Sequence, residues 1–120
     1  MILLDLPIPP SVNRTRKINW STQPKVRVWT KSADGLVLMA WAGGKRPKPI
    51  LGRFEATIIL SEDSAADLDN LPKRVLDYAR SLGLITDDGP KYMRRIVIEF
   101  GEAPEGCRLI LRPWKWGENE

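Results

Sequence analysis

The chain contains no histidine and only one cysteine, Cys107. Without an imidazole there is no Ser-His-Asp or Cys-His nucleophile system, since each needs that base near neutral pH. Zinc sites built on H-E-x-x-H or on mixed Cys/His sets are excluded for the same reason. Any chemistry must rest on carboxylates, Lys, Tyr, Ser, Thr, or a metal ion held by carboxylates. One cysteine cannot form an internal disulfide, which fits a reducing, cytoplasmic setting. Long apolar runs are lacking too. Asp5, Pro7, Pro9 and Pro10 interrupt the N-terminal stretch, so neither a leader nor a membrane span is predicted there.

What is present is globular in character, with 42% hydrophobic and 28% charged residues over a length of 120. That length predicts one domain, 1–120, large enough for a core without disulfide support. The net charge of +4 is unevenly spread. Up to Arg53 the only acids are Asp5 and Asp34, against a long basic series that includes Arg14, Arg16, Lys17, Lys45, Arg46 and Lys48. From Phe54 to Pro90 the balance reverses, with Lys73, Arg74 and Arg80 outnumbered by acids. A basic arm beside an acidic cluster suits a metal-dependent enzyme acting on a polyanion. Equally, such runs are often just solvated faces.

Hydrophobic spacing predicts the order β-α-β-α-β-β, an α+β domain with helices packed on a mixed sheet of about four strands. Met1–Leu6 reads as a strand closed by prolines, and Ser11–Thr30 as a long polar loop. Ser32 is placed as the cap of a helix over Ala33–Ala42, ended by Gly43-Gly44; Leu36–Trp41 fits a strand by period as well. Phe54–Leu60 alternates as a strand. Leu71, Val75, Tyr78, Ala79 and Leu82 draw one helical stripe, with Pro72 in the first turn and Gly83 past the end. Asp87-Asp88-Gly89-Pro90 is a turn. Met93–Phe100 and Cys107–Pro113 read as a hairpin, with Ile96, Ile98 and Phe100 on one face.

Asp67 and Asp69 are two apart in an extended segment, so their carboxylates share a side. Asp88 follows the helix and its return, and joins them only if the turn folds against the following strand. Three converging carboxylates are costly unless a cation neutralises them, and Mg²⁺ is the natural companion. The same residues also serve as a helix N-cap and a polar turn, and that reading suits the pattern by itself at least as well. Lys73 and Asp77 are spaced as a helix-surface ion pair. Trp20 and Trp29 in the basic arm allow a non-catalytic nucleic-acid-binding module. Trp114 and Trp116 flank Lys115, and suit a dimer surface, base stacking, or cover for a sheet edge.

Three blocks together resemble the RusA-type Holliday junction resolvases, small endonucleases of bacteria and their phages. They are Leu6-Pro-Ile-Pro-Pro10-Ser11-Val12-Asn13-Arg14, Asp67-Leu-Asp69-Asn70-Leu71-Pro72-Lys73, and Leu84-Ile-Thr-Asp87-Asp88, in the family's order and spacing. The resemblance implies a Mg²⁺-dependent homodimeric nuclease that cuts four-way DNA junctions. It places the metal on Asp67, Asp69 and Asp88, a catalytic or phosphate-contacting lysine at Lys73, and Asn13 and Arg14 near the site. Arg16 and Lys17 extend the DNA-contacting set. One departure stands out: where family members often carry a basic run, this chain has Glu62-Asp63-Ser64-Ala65-Ala66. The loop Arg14–Arg27 and the turn Lys45-Arg46-Pro47-Lys48 are the expected replacements for DNA grip.

Overall fold

A computed structural model describes residues 1–10, 24–62 and 71–114. The elements are β1 (Ile2–Leu6), α1 (Pro24–Ala40), β2 (Phe54–Ser61), α2 (Leu71–Ser81), β3 (Met93–Gly101) and β4 (Cys107–Pro113). This is the α+β order expected from the hydrophobic spacing. The four strands form one mixed sheet in the order β1-β4-β2-β3. No helix among the described residues is long and apolar enough to cross a membrane.

Strand alternation sends one set of side chains to the helices. Ile2, Leu4 and Leu6 of β1 stand in register with Leu111, Leu109 and Cys107 of β4. These in turn oppose Ala56, Ile58 and Leu60 of β2, and all nine are buried. From the helices, Trp29, Ala33 and Val37 of α1 and Val75, Leu76, Tyr78 and Ala79 of α2 complete the same core. The opposite sheet face carries Asp5 and Arg108, joined by paired contacts of 2.8 and 3.3 Å.

Two sequence-based expectations need correction. The first is α1, which begins at Pro24 rather than at Ala33, so Ser32 lies inside the helix and caps nothing. Pro24 is tolerated because the first helical N–H has no partner to lose. The buried stripe is Val26, Trp29, Ala33 and Val37, a narrow seam set among Lys25, Arg27 and Lys31. Residues 24–30 of the expected loop are therefore helix. Residues 11–23, with Asn13, Arg14, Arg16, Lys17 and Trp20, lie outside the described residues, as do 63–70 and 115–120.

The second correction concerns the last two strands, which are not a hairpin. β3 pairs parallel with β2, while β4 pairs antiparallel with β2 on its other side and with β1. The chain after β3 steps across the end of β2, where Ser61 N–H donates to the Gly106 carbonyl at 3.0 Å. Skipping one strand needs a span of roughly 10 Å, within reach of so short a connection. Ile96, Ile98 and Phe100 do share a face, opposite Ala56, Ile58 and Leu60. Because β3 is an edge strand, Ile96 and Phe100 stay 37% and 45% exposed.

Gly106 closes that crossing with φ of 113°, and a Cβ there would lie 2.6 Å from Ile8 Cγ1. Gly106→Ala is expected to cost about 2 kcal/mol, combining the strained φ with the collision. Denaturant unfolding measures it, and an unchanged midpoint would remove this account of the turn.

The two helices meet through a polar contact over the core. Tyr78 Oη donates to Asp34 Oδ1 at 2.6 Å, and its ring stands edge-on to Trp29 at 5.1 Å. Trp29 Nε1 donates to the Pro7 carbonyl at 2.7 Å, so Trp29 is held in the interior. At 5% exposure it offers no ring to a base, contrary to the nucleic-acid-binding role open to it from sequence. Burial, then the Asp34 carboxylate, raise the Tyr78 pKa above its ordinary 10.0. The folded state therefore holds the phenol proton more tightly than the unfolded chain does. That contribution is complete below about pH 10 and is lost as pH climbs past it. Burial also pushes the Cys107 thiol up to about 12, from 9.0, with the same sign. Thermal melts from neutral to strongly alkaline pH should show stability falling, with Tyr78→Phe flattening the fall above the ordinary tyrosine range. An equally steep fall in that variant would sink the assignment.

Candidate active site

α2 carries the described part of the site. Its C-terminal end is fixed by Gly83 at φ 76°, with Leu84 N–H donating to the Ala79 carbonyl at 3.1 Å and Gly83 N–H to Arg80 at 2.9 Å. This double closure turns the chain back along the helix. Ile50 N–H then donates to the Leu84 carbonyl at 2.8 Å, which pins the returning segment. The turn that follows presents Asp87 and Asp88 to one flank of α2.

On that flank Lys73, Asp77 and Arg80 are spaced by four and three residues, so their side chains line up. Lys73 Nζ stands 3.6 Å from Asp77 Oδ1 and 3.4 Å from Asp88 Oδ2. Arg80 reaches Asp87 at 3.1 Å, Asp77 at 3.9 Å and Asp88 at 4.0 Å. Acid and base thus alternate around the cluster. The carboxylates of Asp77, then Asp88, raise the Lys73 pKa above 10.5, so its ammonium stays charged at neutral pH. The Asp88 N–H, then Arg80, lower the pKa of Asp87, which keeps that carboxylate ionised.

Asp88 is the most enclosed acid of the cluster, with its side chain 12% exposed. Its two ion-pair contacts are longer than a tight charge-assisted hydrogen bond of about 2.8 Å. Asp77 Oδ1 is buried and accepts no hydrogen bond among the described residues; its compensation is the charge on Lys73 and Arg80. Loosely held carboxylate oxygens of this kind suit a hard cation such as Mg²⁺. Among the described residues no three metal-ligating side chains converge. Of the three expected ligands, Asp88 is described, whereas Asp67 and Asp69 lie outside.

The structure brings Lys73 and Asp88 together across fifteen residues. The turn that carries Asp88 therefore lies on the flank of α2, while Asp67 and Asp69, towards which it was expected to return, lie outside the described residues. The structure also draws in a residue the sequence reading passed over. Arg74 Nη1 donates to the Pro10 carbonyl at 2.9 Å, tying the first turn of α2 to the proline-rich end of β1. Asp77 and Arg80 were legible only as an i,i+3/i,i+4 charge row, a pattern common on solvated helices.

The basic turn at Lys45–Lys48 stands elsewhere. Arg46 donates to the Leu82 carbonyl at 2.8 Å and lies 5.2 Å over the Trp41 ring. It is a fastening at the C-terminal end of α2, roughly 13 Å along the helix from Lys73. Lys45 and Lys48 remain exposed beside it. Trp114 is half-buried, and its backbone N–H donates to the Arg53 carbonyl at 3.0 Å just past the end of β4. No protein-family model and no curated protein matches this chain.

Proposed function

We propose that the chain is a Mg²⁺-dependent, structure-specific endodeoxyribonuclease. It resolves four-way DNA junctions by paired phosphodiester hydrolysis in recombination and repair, as a cytoplasmic homodimer encoded by a bacterium or its phage. The observation that carries this reading is the contact between Lys73 and Asp88 at the first turn of α2. Asp67 and Asp69 immediately precede that turn in sequence. This is the helix end at which the three blocks of the family resemblance would meet.

Asp67, Asp69 and Asp88 would hold Mg²⁺, which when bound acidifies a coordinated water and draws charge from the scissile phosphate. That chemistry removes the need for a histidine base. Lys73, kept protonated by Asp77 and Asp88, places a positive charge where the phosphorane or the leaving oxygen becomes negative. Arg80 holds Asp87 and stands beside Asp88, limiting the repulsion among the acids. A two-fold dimer presents two equivalent sites, which matches a junction cut symmetrically on two strands.

The test compares a synthetic four-way junction, a linear duplex and a flap, each with Mg²⁺ and with EDTA. Paired, Mg²⁺-dependent nicks on the junction alone are expected. Cleavage chiefly of the flap would reassign the substrate to other branched DNA. Binding of every substrate with no cleavage would replace the enzyme by a binding module.

A further inference from the structure

Among the described residues β3 is the long unpaired edge of the sheet, nine residues against five in β1 at the other edge. Edge strands present unpaired backbone donors and acceptors, and soluble proteins usually shorten them or interrupt them with proline. β1 is short and runs into Pro7, Pro9 and Pro10; β3 is neither shortened nor broken by proline, its register shift against β2 lies before Arg95, and its charges from Arg95 onward are one base and one acid. Its apolar residues are also incompletely covered, with Ile96 and Phe100 exposed on the helix side.

The order of residues in β3 is self-complementary. Met93-Arg-Arg-Ile-Val-Ile-Glu-Phe-Gly101 has its bases before Val97 and its acid after it. In an antiparallel pair of two β3 strands with Val97 on the two-fold axis, Arg95 of each copy falls opposite Glu99 of the other. Ile96 then falls opposite Ile98. Residues directly opposite share a face, so both ion pairs lie on the open side of the sheet and both isoleucine pairs on the helix side. Among the described residues neither Arg95 nor Glu99 has an ion-pair partner in its own chain. On the same sheet face Asp5 of β1 and Arg108 of β4 already satisfy each other, and Glu55 of β2, in register with Arg95, makes no ion-pair contact with it among the described residues.

We infer that a second copy of this chain docks on β3 edge to edge, forming one continuous eight-stranded sheet through the Arg95–Glu99 and Ile96–Ile98 pairs. The inference deepens the two-copy part of the proposed function and rests on it in that respect alone. Association through β3 needs neither DNA nor Mg²⁺, so it is measured separately from cleavage.

The experiment is sedimentation equilibrium of the full chain across the micromolar range, without DNA or metal. Wild type should be dimeric. Glu99→Arg and Arg95→Glu each place like charges opposite twice, and each should weaken association by about tenfold or more. The combination Arg95→Glu with Glu99→Arg should restore it. Thermal melts establish that each variant is folded; should a reversal fail to fold, Glu99→Gln and Arg95→Gln keep the shape and should weaken association less. A monomeric wild type, a dimer indifferent to the single changes, or no restoration in the folded double variant would each overturn the pairing. A monomer that still nicks junctions in pairs would reject this surface and leave the nuclease reading standing. A β3 dimer that cuts nothing would do the reverse.

Discussion

Asp69→Asn and Asp88→Asn are each expected to lower junction cleavage by about a thousandfold or more, equivalent to roughly 4 kcal/mol of transition-state stabilisation. Asn keeps the size of Asp and removes its charge, so the loss isolates the charge that would hold the cation. DNA binding should persist or tighten, because one negative charge fewer faces the phosphates. Lys73 sharpens the comparison. In Asp88→Asn it loses one of its two acidic neighbours, so its ammonium is held by Asp77 alone. Rates from single-turnover cleavage, with affinities measured by a gel shift in Ca²⁺ or EDTA, separate the two effects. Full activity in either variant would end the carboxylate-metal reading. If the acids were only caps and turns, Asp69→Asn would cost at most about 1 kcal/mol of stability and nothing else.

The largest effect on stability is expected at Phe54. Its side chain is fully buried at the start of β2, whose backbone is hydrogen-bonded on both sides by β3 and β4. The Phe54 N–H also donates to the Tyr92 carbonyl at 2.8 Å, which holds that corner in place. A sheet braced in this way cannot collapse into the space left by a lost ring. Phe54→Ala should therefore cost roughly 3–5 kcal/mol, a large part of the 6–18 kcal/mol or so available to a chain of this length. The control is Phe100→Ala, where a 45% exposed ring leaves little cavity, and a monomer should lose under about 1 kcal/mol. Chemical denaturation measures both. Equal losses would contradict the burial difference between the two rings.

Local pattern was sufficient wherever a stripe or an alternation was strong. Val75, Tyr78 and Ala79 of the α2 stripe are buried, and the Gly83 ending and the alternation of β2 reappear as expected, because each depends on neighbours within a few residues. α1 shows where the pattern weakens. Its seam is a single line of four residues that includes Ala33, while Lys25, Arg27 and Lys31 around it imitate a solvated loop. Within Pro24–Thr30 the buried residues are Val26 and Trp29, and Trp29 is held to the Pro7 carbonyl after β1, a contact that local pattern does not contain. For the site, residue types and spacing singled out Lys73 and Asp88, yet the 3.4 Å contact between them depends on the chain reversal after Gly83.

The sequence alone determined the element order, the exclusion of imidazole chemistry, and the concentration of acids around α2. Those are matters of composition and short-range periodicity, which no partner strand can alter. Tertiary structure decided which strands are neighbours, which tryptophan is buried, and which acids Lys73 meets. Periodicity of two is the same in a hairpin and in a crossover, so the hydrophobic pattern of β3 and β4 carries no information about which strand lies between them. The choice was made by packing: β4, buried through Cys107, Leu109 and Leu111, takes the centre, and the more charged β3 is left at the edge.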